Sequence, residues 1–286
     1  MVENIEKMDI VIPCHHKDIN ILPLCIAGCK KNIPSLGTIY LVSDDVKIED
    51  SKVIVLRESQ VIPDLTVHDI KERWNKKAPE NSHRAGWLFQ QFIKLGSCKS
   101  IPALSEIYLI LDADVVFLKK MSFQNASGQL LLSPASESNA PYHECYRRLF
   151  GDNIEFKYSF VSHHFPVKRT ILHQMLNDIE RRLKKNWYES ILDVIDYTQP
   201  ACFSEYETMG YYMTEHFDEQ YSWRKLVNIQ SFKWKYLPLL WLGLADYVTV
   251  HNYKRPENSK RTNKYLFKIY NQTLMSKTNL KRLSSH

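Results

Sequence analysis

The run Glu-Ile-Tyr-Leu-Ile-Leu at residues 106–111, followed by Asp112-Ala113-Asp114, constrains the fold of this chain more than any other segment. After its first residue the run is wholly apolar or aromatic, which is typical of a strand that helices cover on both faces. Two carboxylates follow at its end. In open α/β sheets, ligands gather at the carboxyl ends of the strands, so this segment predicts a buried strand that leads into a ligand site.

Three further apolar runs predict other strands of the same sheet: Met8–Pro13, Thr38–Ser43 and Lys52–Leu56. After Asp18, apolar residues recur at steps of three and four, which predicts a helix between the first two runs. Strands that alternate with helices are typical of a parallel sheet. The predicted class is therefore α/β, with a Rossmann-like, mostly parallel central sheet flanked by helices and a less regular second half.

Helical patterns also occur outside these units. A helix that Ser82 caps is predicted to run to about Cys98, because apolar residues recur along it at steps of three and four. The same helix carries a second stripe that we expect to point away from the core: Arg84, Trp87, Gln91 and Lys94. Further helices are predicted near residues 142–150, 167–185 and 204–217, and a short strand near residues 158–162.

Length and composition favour one catalytic domain. With 286 residues, 44% of them hydrophobic, the chain has enough apolar material for a substantial core. We expect this domain to cover residues 1–253, with a nucleotide-binding half over about 1–118 and an acceptor half over 119–253. No segment has the pattern of a secretory signal or a bilayer-spanning helix, and the six cysteines form no CxxC pair, so we expect a cytoplasmic protein.

The segment 254–286 is a basic tail that carries much of the excess behind the net charge of +6. One interpretation is a solvated end of the chain. The other is an amphipathic helix that contacts an anionic membrane surface, because Tyr265, Leu266 and Ile269 lie among its lysines. No motif of a nucleic-acid-binding fold accompanies these charges, so we expect no nucleic-acid partner.

The two acids Asp112 and Asp114 have the chemistry of a cation site. Magnesium and manganese prefer carboxylate oxygens and commonly keep positions for substrate phosphates. An Asp-x-Asp at a strand end is therefore a natural anchor for a nucleotide diphosphate, with Mn²⁺ or Mg²⁺ as the cofactor. The ends of the other predicted strands add further polar side chains as expected neighbours: His15, His16, Asp44 and Asp45.

Four segments, taken in order, resemble the GT-A glycosyltransferases. They are Val11-Ile12-Pro13, the run at residues 86–95, Leu111-Asp112-Ala113-Asp114, and Phe203-Ser204-Glu205-Tyr206-Glu207-Thr208-Met209-Gly210. Their order and spacing are most similar to the DUF6492 group of polysaccharide-associated glycosyltransferases. The resemblance covers about residues 8–253, and the set in order carries it rather than any single motif.

This resemblance implies a nucleotide-sugar donor, expected to be UDP-linked, and a glycan or lipid-linked acceptor. It implies that the loop from Pro13 to His15, with Asp44 and Asp45, brackets the nucleobase and ribose. It also implies that Asp112 and Asp114 hold the metal and the diphosphate, with a late histidine, His251, as a further ligand. The stripe of the predicted helix after Ser82 would meet the donor phosphates, with Arg84 and Lys94 neutralising their charge and Trp87 and Gln91 beside them.

An inverting transfer requires a base that takes the proton of the acceptor hydroxyl. Glu205 and Glu207 are the candidates, and on a helix they lie about 200° apart, so only one can face a cleft. Glu205 is expected to be the base because it matches the family-like position. His163 or His164, together with Glu207 and Tyr142, are expected to contact the acceptor.

Three alternatives remain open from the residues. A retaining enzyme of the same fold would not need Glu205 as a base. A carbohydrate-binding protein without activity would need neither metal nor base. A phosphohydrolase of the haloacid dehalogenase type also has Asp-x-Asp-x-Val after an apolar strand, although there the motif normally follows an early strand, whereas three predicted strands precede it here.

Overall fold

A computed structural model describes residues 7–151, 154–230 and 243–250. The strands are β1 (Met8–Pro13), β2 (Leu36–Val42), β3 (Val53–Leu56), β4 (Ile107–Leu111), β5 (Val115–Phe117), β6 (Leu130–Leu132), β7 (His164–Lys168), β8 (Tyr221–Trp223), β9 (Asn228–Gln230) and β10 (Tyr247–Thr249). The helices are α1 (Leu22–Asn32), α2 (Glu58–Val61), α3 (Val67–Lys77), α4 (Ala85–Ser100), α5 (Ala140–Phe150), α6 (Arg169–Leu183), α7 (Trp187–Val194) and α8 (Glu205–His216).

A five-stranded sheet with the order β3-β2-β1-β4-β7 forms the centre of the fold. Its first four strands are parallel, and β7 runs antiparallel to β4. Every residue of β1 and β4 is buried, as expected for strands that helices cover on both faces. The predicted α/β class with a mostly parallel central sheet is confirmed.

The described residues form two compact units. The larger contains those within 1–14, 35–112 and 122–225, and therefore the five-stranded sheet, the short β6-β8 pair and every helix from α2 to α8. The smaller contains those within 15–34, 113–121 and 226–286. The predicted boundaries of a catalytic domain over residues 1–253 and its halves stay a prediction.

In the smaller unit, α1 packs against β5, which pairs with β10 and then β9. Gly28 permits this close approach, because a Cβ there would come within 3.1 Å of the backbone nitrogen of Phe117. The side-chain amide of Asn32 donates to the Phe117 carbonyl at 2.7 Å. The apolar core of this unit comprises Ile21, Leu24, Val116, Ile229, Ala245, Val248 and Val250.

Two predictions about secondary structure are wrong. The strand expected near residues 158–162 is instead β7, which ends at Lys168, directly before α6. Proline is tolerated in an edge strand, and Pro166 pairs with Leu109 at the edge of the sheet. Ser82 does not cap α4, because residues from Pro79 to Arg84 form a 3₁₀ segment and the α-helix starts at Ala85.

The four residues of the stripe that we expect to point away from the core differ in their exposure. Arg84 and Trp87 are half-buried, whereas Gln91 is 3% exposed and Lys94 6% exposed. The prediction is wrong for these last two residues, because the face of α4 that carries them packs against other elements of the larger unit, including α8. A buried lysine requires a partner for its charge.

Candidate active site

Asp112 directly follows β4, and His163 holds it through both main chain and side chain. The amide of Asp112 donates to the His163 carbonyl at 3.0 Å, and Nδ1 of His163 donates to Oδ2 of Asp112 at 2.9 Å. His163 has a φ of 64°, a left-handed conformation that residues other than glycine seldom adopt. Such a conformation costs on the order of 1–3 kcal/mol and is concentrated at functional sites, so this corner is a candidate one.

Lys94 connects Asp112 to the first residue of α8. Its Nζ pairs with Oδ1 of Asp112 and lies 2.5 Å from Oε1 of Glu205. Tyr206 completes the group, because its hydroxyl donates to Oδ1 of Asp112 at 3.1 Å and Nζ of Lys94 lies 4.4 Å from its ring centre. The result is one buried cation between two carboxylates, all within the larger unit. This arrangement is called the Lys94 cluster below: Lys94, Asp112, His163, Glu205 and Tyr206.

The start of α8 fixes the position of Glu205. Ser204 is the N-cap, and its hydroxyl accepts from the amide of Glu207. The amide of Glu205 itself donates to Oε1 of Gln91 at 3.0 Å. These bonds satisfy two of the amides that every helix start leaves without an intrahelical partner. The Nε2 of Gln91 is buried without a hydrogen-bond partner among the described residues.

The charges of the Lys94 cluster shift one another's pKa. For Asp112, burial opposes ionisation, but the Lys94 ammonium and His163 outweigh it and hold its pKa well below the usual range. For Lys94, burial opposes the charge, but the two carboxylates outweigh it and raise its pKa. Burial raises the pKa of Glu205 in spite of the nearby ammonium. A carboxylate with a raised pKa is a stronger base than an ordinary glutamate.

Glu207 and Tyr142 lie on the predicted acceptor side but have other partners. Oε1 of Glu207 accepts from the amide of Phe160 at 3.3 Å, and its Oε2 is buried with no hydrogen-bond partner among the described residues. Burial raises the pKa of Glu207 to about 7. The Tyr142 hydroxyl donates to Glu137 at 3.3 Å, and burial raises the pKa of this tyrosine. Glu205 and Glu207 thus have different partners, as their angular separation on α8 requires.

Three of the predicted nucleotide-side residues, Pro13, Asp44 and Asp45, lie at or just after the ends of β1 and β2. In the larger unit, Pro13 ends β1 and is buried, and Asp44 accepts from the amide of Glu58 at 3.2 Å at the start of α2. Burial raises the pKa of Glu58 to about 7, with Asp44 and Asp45 adding to the effect. Asp44 and Asp45 are exposed to solvent, whereas Glu58 is half-buried. The amide of Asp45 donates to the hydroxyl of Ser43 at 3.2 Å.

Arg84 and Trp87 contact each other through a cation–π interaction. The Arg84 guanidinium lies 3.9 Å from the Trp87 ring centre, and its Nε donates to the carbonyl of Pro200 at 2.8 Å. His15 belongs to the smaller unit, where its ring lies 3.9 Å from that of His16. Their expected contacts with the donor stay predictions.

His164 begins β7 and is 1% exposed. Its Nδ1 donates to the carbonyl of Ser162 at 2.9 Å, and its ring meets the edge of Phe123. Burial lowers its pKa to about 3, and the positive charge of Arg224 adds to the effect. His163 and His164 therefore have separate surroundings, and His163 is the one that reaches Asp112.

The buried His164 should make stability depend on pH. A histidine with a folded pKa of about 3 stays neutral while the unfolded chain, with a pKa near 6.5, takes up a proton. Its contribution is therefore fully present above about pH 6.5 and is lost as the pH falls from there toward 3, by about 1.4 kcal/mol per pH unit. Urea unfolding from pH 7 to 5 should show this slope, and His164→Gln should reduce it by about that amount. His68→Gln, at an exposed position of α3, is the control, and equal slopes for both variants would contradict the prediction.

The residues at Asp112 suit a divalent cation in their chemistry. Its carboxylate stays ionised, and His163 supports it with a hydrogen bond of the kind that commonly orients metal-binding carboxylates. Within residues 7–151, 154–230 and 243–250, however, no three His, Cys, Asp or Glu side chains are grouped so as to enclose a metal ion. Asp114 belongs to the smaller unit, where its carbonyl accepts from the amide of Val250, and His251 lies outside the described residues. The metal set of Asp112, Asp114 and His251 stays a prediction.

Two residues near the predicted sites were missed. The spacing of apolar residues along α8 places Tyr206 in the core, and it is buried, but nothing in the spacing shows that its hydroxyl reaches Asp112. The amide of Glu58 donates to Asp44, which lies 14 positions earlier in the chain. Only the position of Glu58 at the start of α2, two residues after β3 ends, indicates this contact. Both contacts depend on tertiary packing.

The fold and the Lys94 cluster together define an α/β protein with an acidic site at the carboxyl end of a central parallel strand. The chain belongs to DUF6492, a family of unknown function whose model matches residues 35–231. None of the curated proteins matches it in sequence. No helix in the described part of the chain has the length and apolar character needed to cross a membrane.

Among solved structures, the chain is similar to the galactosyltransferase LgtC in complex with donor and acceptor sugar analogs, at 12% identity and a TM-score of 0.46, over 85% of this chain and 87% of that one. It is also similar to an active-site mutant of LgtC, at 12% identity and a TM-score of 0.48, over 90% and 94% of the two chains. A third similar structure is mouse xyloside xylosyltransferase 1 in its apo form, at 10% identity and a TM-score of 0.45, over 88% and 99%.

Proposed function

We propose that this protein is a glycosyltransferase that moves a sugar from a nucleotide diphosphate donor, in the first instance a UDP-sugar, to a glycan or lipid-linked acceptor. The observation that carries the proposal is the Lys94 cluster. It combines an ionised carboxylate at the carboxyl end of β4, a buried cation and a second carboxylate with a raised pKa. The resemblance of the four sequence segments to GT-A glycosyltransferases supports the same assignment.

On the donor side, Asp112 and Asp114 would hold a Mn²⁺ or Mg²⁺ ion, which would neutralise the diphosphate as it leaves. His163 and Tyr206 would keep Asp112 in position for this role, since both donate to its carboxylate. Lys94 lies between Asp112 and Glu205 and so keeps two buried carboxylates from repelling each other.

On the acceptor side, Glu205 acts as the base of an inverting transfer. The acceptor oxygen bonds to the anomeric carbon as the bond between that carbon and the diphosphate oxygen breaks, and the bonding electrons leave with the nucleoside diphosphate. The hydroxyl proton passes to a carboxylate oxygen of Glu205. Positioned proton transfer of this kind commonly contributes on the order of 10²- to 10⁴-fold in rate.

A thermal-shift screen against nucleotide sugars, with and without Mn²⁺, tests the proposal. A ligand that binds only the folded chain stabilises it by about 2.7 kcal/mol at a concentration of 100 Kd, which corresponds to a rise of several degrees in Tm. We expect this rise for at least one UDP-sugar with Mn²⁺, and a much smaller one without metal. Asp114→Asn should lose the metal-dependent part.

Two results would count against the proposal. If nucleotide sugars and Mn²⁺ cause no shift in Tm, the assignment of a nucleotide-sugar donor is wrong. If the protein hydrolyses a generic phosphate ester, the phosphohydrolase alternative is favoured. A metal requirement that survives in Asp114→Asn would remove only the assignment of that ligand.

Two further proposals concern where the enzyme is located in the cell. We expect it to work in the cytoplasm, with the basic tail at residues 254–286, which lies outside the described residues, in contact with an anionic membrane surface. The full chain should then sediment with vesicles that contain anionic lipid, whereas a chain truncated after residue 255 should stay in the supernatant. Equal partitioning of the two would remove the membrane contact and leave the activity untouched.

A further inference from the structure

Two aromatic side chains of the larger unit are exposed side by side. Tyr158 is 54% exposed and Trp223 is 46% exposed. Among the described residues, the other large hydrophobic side chains that are exposed are aliphatic. Their ring centres are 5.0 Å apart, and the ring planes are inclined by 47°. Tyr and Trp are enriched at binding surfaces, because each side chain combines an apolar ring with a polar group.

The Trp223 ring of this aromatic pair packs on a buried side chain. Trp223 ends β8, where it pairs with Leu132, and its ring stacks on Phe160 at 5.6 Å and 29°. Phe160 is 1% exposed and packs directly on Gly210, where any added Cβ would collide with its ring. The packing therefore holds the Trp223 ring in a fixed place.

The backbone of Tyr158 is fixed as well. Its amide donates to the hydroxyl of Tyr211 at 3.1 Å, and the same hydroxyl donates to its carbonyl. One tyrosine thus satisfies both main-chain groups of a residue that lies outside the regular strands. A surface that is ordered before binding loses less entropy when a ligand arrives, so the pair is preorganised.

The size and surroundings of the pair favour a small amphipathic ligand. Half-exposed Tyr and Trp side chains offer roughly 200 Å² between them, well below the roughly 800 Å² that each partner buries in a standard protein interface. The neighbouring side chains are charged or polar: the exposed Lys157–Glu155 ion pair, the half-buried Ser222 and the exposed Lys225. A sugar ring fits this description, because it has an apolar C–H face for the aromatic rings and hydroxyls at its edge for the polar groups.

The pair is also connected to the Lys94 cluster through short stretches of chain. The amide of Phe160, whose ring supports Trp223, donates to Glu207, two residues after Glu205 on α8. His163 follows Tyr158 by five residues, which sets an upper limit of about 18 Å between their Cα atoms. The aromatic pair therefore lies within reach of an extended molecule bound at the candidate site.

We propose that Tyr158 and Trp223 form an acceptor subsite that stacks on one sugar ring of an oligosaccharide, at a distance from the sugar that receives the transferred residue. This inference rests on the proposed glycosyltransferase function and narrows its acceptor to glycans of several residues. A short acceptor that cannot reach the pair should have a lower kcat/KM than a longer one.

The test compares Trp223→Ala and Tyr158→Ala with the unaltered full-length chain. The probes are glucose, galactose and N-acetylglucosamine oligosaccharides of two to six residues, with binding followed by saturation-transfer NMR. For a probe that binds, each substitution should weaken binding by about tenfold or more, the size of one aromatic contact. In transfer assays, KM for the long acceptor should rise by a similar factor while kcat and the donor KM change less than twofold.

Ile54→Ala serves as the matched control, because Ile54 is 46% exposed on β3 and is likewise a surface hydrophobic residue. Trp223→Phe should restore most of the binding, since it keeps an aromatic face. Unchanged Tm values in all variants establish that the fold is intact.

Three outcomes overturn the subsite. The first is that no probe oligosaccharide binds the unaltered chain, and the second is that the alanine variants bind like the Ile54→Ala control. The third is a dimer that Trp223→Ala dissociates, which would make the pair an interface between copies. If oligosaccharides bind through the pair but no nucleotide sugar changes Tm, the subsite stands and the proposed transferase activity falls.

Discussion

Lys94→Met should lower the free energy of unfolding by about 3–5 kcal/mol at pH 7, a cost typical of breaking a buried ion pair from one side. The reason is that the Lys94 side chain is only 7% exposed and its ammonium pairs with both Asp112 and Glu205. Methionine keeps most of the side-chain volume but leaves the two carboxylates without their cation. Urea unfolding followed by circular dichroism measures the difference.

The same helix provides the control. Lys99 also pairs with a carboxylate, Glu180 at 3.0 Å, but the two side chains are 25% and 31% exposed. Pairs that solvent can reach contribute about 0–1 kcal/mol, so Lys99→Met should change stability by no more than that. Equal losses for Lys94→Met and Lys99→Met would show that burial of the Lys94 cluster does not govern its energetics.

The pH dependence of Lys94→Met provides a second check. Without the ammonium, burial and mutual repulsion should raise the pKa of Asp112 above its unfolded value and should raise the pKa of Glu205 further. A carboxyl group with a raised folded pKa contributes stability at low pH that is lost as the pH rises through that pKa. The deficit of Lys94→Met relative to the wild type should therefore shrink as the pH is lowered from 7 to 5. A deficit that stays constant would indicate lost packing rather than lost charge compensation.

The sequence predicts the central sheet well because its strands carry a local signal. The buried strands β1, β2 and β4 each consist of an apolar run that can be recognised without knowledge of its neighbours. The edge strand β7 has no such signal, because it contains Pro166 and exists through its antiparallel pairing with β4. The three-residue strands β6 and β8 likewise depend on each other.

For the candidate site, the sequence predicts which residues take part but not which of them contact one another. The Asp-x-Asp motif, Lys94 and Glu205 stand out by their chemistry and by their place on strand or helix. Lys94 was expected to face phosphate, whereas in the structure two carboxylates bind its ammonium. That arrangement depends on α4 packing against α8, two helices whose bonded residues are 111 positions apart. No periodicity within either helix contains this information.

Glu205→Gln should reduce kcat for glycosyl transfer by about 10²- to 10⁴-fold, because glutamine keeps the shape of the side chain but cannot accept the acceptor proton. Donor binding should persist, so the rise in Tm with a UDP-sugar and Mn²⁺ should match that of the wild type. Initial rates at saturating donor and acceptor measure kcat, and the thermal shift confirms that the variant is folded.

Glu207→Gln is the matched control, because Glu207 lies on the same helix and is 2% exposed, against 3% for Glu205. The ammonium of Lys94 pairs with Glu205, whereas Glu207 accepts from the amide of Phe160. Its kcat should fall by less than tenfold. A larger loss in Glu207→Gln than in Glu205→Gln would move the base to Glu207, whose raised pKa of about 7 also suits proton transfer. Full activity in both variants, together with a product that NMR shows to keep the donor's anomeric configuration, would establish a retaining transfer in which neither glutamate is the base.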